Sequence, residues 1–234
     1  MNRINWLFTL SSISVLIVTI ERFSFTTKIL LEPYNFLRLH ELIQMSVLIL
    51  LTVIIPFLIL KEITNNFKTL QNKKGFLLFL AFVVGIYFYA TGNGVHEVSS
   101  FNFNNYCNVK NFSGNLCGGF FFNDYYTGNI IYFIGATLMI VSLMLLEKIN
   151  PDKKYQKKDL LATIINSVIY AFAIFAYAAF DTVLVGLIYS VIVTIIAGFL
   201  FLQIRKNYLN YPVIFYTALT YFLGTIAALI FRLQ

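Results

Sequence analysis

Seven long apolar runs alternate with short polar segments along this 234-residue chain. They can be drawn at Ile4 to Ile20, Leu42 to Leu60, Phe76 to Val95, Ile130 to Leu146, Leu160 to Ala178, Val183 to Leu202 and Val213 to Phe231. Each is close to the ~20 residues a helix needs to cross about 30 Å of hydrocarbon. No turn cluster interrupts them, and none shows the two-residue alternation of a barrel strand. The pattern predicts an all-α, polytopic integral membrane protein of about seven transmembrane helices, a single transmembrane domain over residues 1–234. The apolar stretch behind Met1-Asn2-Arg3 runs into Glu21-Arg22-Phe23 instead of a small-residue cleavage site, so it reads as a retained helix rather than a secretory signal.

Composition agrees and excludes a soluble globular domain: 59% of residues are hydrophobic, 12% are charged and mean hydropathy is +0.78. The net charge of +7 is unevenly placed. Arg3, Lys61 to Lys74, Lys148 to Lys158 and Arg205-Lys206 put 12 of the 17 Lys+Arg on one side, with 4 acids, leaving 5 Lys+Arg and 6 acids on the other. Lysine- and arginine-rich short loops stay cytoplasmic, which predicts the N-terminus inside and the C-terminus outside a cell membrane. The excess charge then serves orientation and anionic lipid headgroups, not nucleic acid.

Both cysteines, Cys107 and Cys117, fall in the extracytoplasmic loop drawn at 96–129. They are expected to form a disulfide, which for a loop of about ten residues contributes on the order of 2–3 kcal/mol. The loop offers no further cysteine for a zinc site. Between them Asn111-Phe112-Ser113 matches a glycosylation sequon. Elsewhere, Glu21 to Leu39 should lie in the outer interface, with Pro33 opening a helix that runs from Tyr34 into the second span and kinks at Pro56. Asp181 is expected to cap the sixth helix.

Only two histidines occur, each followed by glutamate, as His40-Glu41 and His96-Glu97, beside the outer ends of the second and third runs. Neighbours on a helix point ~100° apart, so neither dipeptide chelates a metal alone. Arg38 and Glu41, three apart, are expected to pair. His40 then shares a face with Gln44. Glu97 has no basic residue within a turn, which makes it the candidate proton-exchanging or catalytic carboxylate. Gly85, Tyr89, Gly92, His96 and Ser99 form one stripe along the third span, open to close approach by another helix. Asp124, Gly128 and Tyr132 would form a face of the fourth span if that helix begins early; otherwise Asp124 caps it.

The last span carries no lysine, which counts against a retinal-binding rhodopsin. The topology resembles that of the adiponectin-receptor and ceramidase superfamily of zinc hydrolases, yet the histidine pair of that family has no counterpart in Val213 to Arg232. Three functions fit the residues. One is transport or conduction of a cation, proton or small polar solute along Asn93, His96, Glu97, Ser100 and Asp124. A second is a metal-dependent membrane enzyme, with His40, His96 and Asp124 holding a divalent metal and Glu97 as general base. The third is a structural or accessory subunit. Expected partners are membrane lipids and either another membrane protein or a second copy of the chain.

Overall fold

The computed structural model describes residues 2–108, 110, 116–151 and 155–234, and among them the fold is helical, with no strand beyond one isolated bridge, Leu30 to Arg38. Seven helical stretches are long and apolar enough to cross a membrane. The chain is thus a multi-pass membrane protein by architecture. Helix α1 is Arg3–Glu21; α2 (Leu39–Ile43) and α3 (Ile49–Ile63) form the second span around a π-helical turn at Gln44–Leu48. The third span is α4, Lys73–Tyr106. The fourth joins α5 (Leu116–Phe122) to α6 (Asn129–Ile149) through a second π turn, Asn123–Gly128. Helices α7 (Leu160–Phe180), α8 (Val185–Ile204) and α9 (Pro212–Leu233) complete the bundle.

Aliphatic and aromatic side chains such as Leu77, Phe172, Ile195 and Phe199 face outward, while serine, threonine, asparagine and tyrosine side chains turn inward. That distribution suits hydrocarbon, where exposed apolar surface costs nothing and polar groups must find partners within the bundle. Asn5 on α1 donates to the Asp159 carbonyl (3.0 Å) and accepts from Thr163 on α7 (2.8 Å); Ser12 donates to the Asn166 carbonyl (3.0 Å). Glu147, fully buried near the end of α6, accepts the backbone N–H groups of Val213 and Ile214 at 2.8 Å each, which joins α6 to the first turn of α9. Phe8 stacks on Tyr216, and Phe133 on Tyr189, in the core between these helices.

Several expectations are corrected. Pro33 does not open a helix: it lies in a turn closed by the Leu31 N–H on the Leu37 carbonyl and the Asn35 N–H on the Leu31 carbonyl, so α2 starts only at Leu39. Helix α3 does run on through Pro56. Asp181 ends α7 rather than starting α8; its carboxylate accepts from Val183 N–H two residues on, and Leu184 precedes α8. Arg232 holds that end of α7, donating to the carbonyls of Ala178 (2.7 Å) and Asp181 (2.6 Å), where a cation meets the helix dipole favourably.

Most of the stretch drawn as the 96–129 loop is helical, with α4 reaching Tyr106 and α5 beginning at Leu116. Buried aromatics carry the helices past the apolar run. Phe103 packs on Phe121, which packs at a tilt against Tyr125, and the Arg38 guanidinium lies 5.5 Å from the Phe101 ring centroid. Cys107 and Cys117 are disulfide-bonded between the two helix ends. The Asn111 sequon lies outside the described residues.

Candidate functional site

Glycine lets α4 and α6 meet backbone to backbone just beneath the polar cluster. A Cβ at Gly92 would stand 2.2 Å from the Tyr132 nitrogen, and one at Gly128 would stand 2.7 Å from the His96 nitrogen. The stripe read from the sequence is therefore a helix contact, and the early-helix alternative for Asp124 is the one realised. Asp124 sits inside the π turn, where the widened helix presents both its carboxylate and Gly128 to α4. His96 Nδ1 lies 2.8 Å from Asp124 Oδ1 and 3.1 Å from the Asp124 carbonyl oxygen.

A second set converges from three spans beside the other π turn. Glu21, the last residue of α1, places Oε2 2.6 Å from His40 Nδ1 and accepts from Gln44 Nε2 at 2.8 Å; Thr26 donates to its other oxygen at 2.5 Å. The far nitrogen of the same imidazole, His40 Nε2, lies 3.9 Å from Glu97 Oε2, and Arg22 approaches Glu97 Oε1 at 3.8 Å. His40 thus lies between two carboxylates. Burial is nearly complete: Glu97 is 3% exposed, Asp124 2%, His40 8% and Glu21 9%.

The expected Arg38–Glu41 pair forms, with Arg38 Nε donating to Glu41 Oε1 at 2.8 Å and the Arg38 backbone N–H to Oε2 at 3.0 Å. That leaves Glu41 committed to closing the start of α2. Glu97 has no basic partner within its own helix turn, and its basic neighbours, Arg22 and His40, come from elsewhere in the chain. Ser100 Oγ accepts from Asn104 along α4 and joins neither set. Asn93, one turn inward of Glu97, is 8% exposed, and its Nδ2 has no partner among the described residues. One turn further in, Tyr89 donates to Thr52 Oγ1 and accepts from Tyr132, both at 3.1 Å. Tyr89, Asn93 and Glu97 therefore form a polar line down one face of α4.

The residues expected to hold a metal do not come together. His96 turns to Asp124, whereas His40 turns to Glu21 and Glu97, and among the described residues no group of three or more His, Cys, Asp or Glu side chains could hold a metal ion. Glu21 and Arg22 were missed as site residues. Their signal was two charges directly after an apolar run, which an interfacial loop explains equally well.

Comparison with protein-family models, curated proteins and solved structures gives no match.

Proposed function

We propose that this protein moves protons, alone or coupled to a small cation, through the buried carboxylate–imidazole cluster at the disulfide-bearing end of the bundle. The charge balance of that cluster carries the reading. Among the described residues Glu21, Glu41, Glu97 and Asp124 have two arginines as ion-pair partners, Arg22 and Arg38. Two negative charges remain in a low-dielectric layer, where unpaired charge is costly. Uptake of two protons would neutralise it.

Glu21, His40 and Glu97 then form a relay in which the imidazole can take a proton at one nitrogen and release one at the other. Arg22, half exposed, sits at its outer side. Asn93, Tyr89, Thr52 and Tyr132 continue the polar line inward; the orphaned Asn93 amide is a place for a bridging water. The lysine-rich face, by its charge, is the cytoplasmic one.

Reconstitution tests this. Proteoliposomes holding an imposed pH gradient, with and without sodium or potassium, should dissipate it in the wild type. Flux should fall at least tenfold in Glu97→Gln and His40→Gln, and persist in Glu62→Gln, whose carboxylate pairs with Arg3 at the opposite end. Equal flux in empty liposomes and wild type overturns the reading.

A further inference from the structure

At the opposite, lysine-rich end, Lys148 near the end of α6 and Arg205 and Lys206 just after α8 surround a cavity of about 490 Å³. Gln203, Asn207 and Tyr211 add polar atoms to its wall, and no carboxylate lines it. The nearest acid in sequence, Glu147, is turned into the bundle with both oxygens on the α9 backbone. Among the described residues none of the three cations has a carboxylate partner; Lys148 donates to Gln203. Three positive charges with no carboxylate partner among the described residues suit an anion, and the cavity's size lies in the ~300–1,000 Å³ range of small-ligand pockets.

The wall also has an apolar side. Leu202 lines the cavity and is the last of an outward-facing row on α8, Ile188, Ile192, Ile195, Phe199 and Leu202, each between 46% and 65% exposed. Their spacing of three and four keeps them on one face, so the row leads along the hydrocarbon directly to the cavity mouth. A free phosphate would use the cations and ignore the row. A phospholipid uses both, its acyl chain on α8 and its phosphate among Lys148, Arg205 and Lys206.

We propose that this cavity binds the phosphate headgroup of an anionic membrane phospholipid. Native mass spectrometry of the purified protein with phosphatidylglycerol and phosphatidylcholine in equal amounts tests it. The wild type should retain the anionic lipid preferentially, by on the order of tenfold or more for three cations. Lys148→Gln/Arg205→Gln/Lys206→Gln should lose that preference, Lys148→Arg/Lys206→Arg should keep it, and Lys73→Gln/Lys74→Gln/Lys158→Gln, with the same charge removed from the same face, should keep it too. Thermal unfolding in neutral detergent confirms that each variant is folded. An equal loss in the Lys73/Lys74/Lys158 variant assigns the effect to general surface charge and overturns the proposal. So does full displacement of the lipid by millimolar inorganic phosphate, which would make the site one for a soluble anion.

Discussion

Gly92→Ala probes the link between packing and site most sharply. The added Cβ would lie 2.2 Å from the Tyr132 nitrogen, 2.6 Å from its Cα and 2.7 Å from the Gly128 carbonyl oxygen, all backbone atoms that cannot swing aside. Ordinary contact begins near 3.4 Å, so α4 and α6 must part by about 1.2 Å locally. His96 stands one turn away and reaches Asp124 at 2.8 Å, so the same displacement takes that contact to roughly 4 Å, beyond hydrogen-bond range. Overpacking costs about 1–3 kcal/mol, and losing a bond to a charged group about 1.5–3 kcal/mol. The gain in helix propensity returns only about 0.5–1 kcal/mol. The net loss is then roughly 2–5 kcal/mol, read as a lowered unfolding midpoint of the purified protein in detergent. Gly94→Ala is the internal control, because nothing lies within 4 Å of its Cβ position. Its midpoint should be unchanged or slightly higher. Equal stability of the two variants would refute the backbone-to-backbone contact and the placement of His96 that depends on it.

Three further outcomes are expected. With only two histidines in the chain, isotope-labelled imidazoles should give two sets of NMR signals, one responding to Glu21→Gln and the other to Asp124→Asn; a signal that responds to both would merge the two sets into one site. Glu147→Gln replaces an acceptor oxygen with an N–H donor facing the α9 backbone and should destabilise by about 2–3 kcal/mol in denaturant unfolding, whereas an unchanged midpoint would mean that α9 needs no such acceptor. Burial pushes the Asp181 carboxyl above the usual range, so the native state binds its proton more tightly than the unfolded state. Stability should therefore fall as pH rises from the unfolded carboxyl value through the higher native one, and that step should vanish in Asp181→Asn.

Hydropathy locates the part of each helix that lies in hydrocarbon, and for that reason the seven spans were legible while their ends were not. Helix α4 continues eleven residues past Val95 to Tyr106, through asparagines such as Asn102 and Asn105 whose side chains bond back along the helix, and the buried Phe101 and Phe103 mark the extension. The local pairs were legible too. Arg38 with Glu41, and the glycine stripe with His96, follow from spacings of three and four. Glu21 with His40 joins residues from different spans, and no periodicity within either segment announces that contact. The π turns at Gln44–Leu48 and Asn123–Gly128 were equally hidden, since one widened turn leaves the apolar pattern of a span intact.

On the proposed function, Glu97 and His40 exchange protons within the buried cluster. Infrared difference spectroscopy across a pH step, on protein in lipid, reads protonated carboxyl and imidazole bands directly. The account predicts a buried-carboxyl band together with an imidazole change in the wild type, both lost in Glu97→Gln and retained in Glu62→Gln. A difference spectrum that Glu97→Gln leaves unaltered would contradict it.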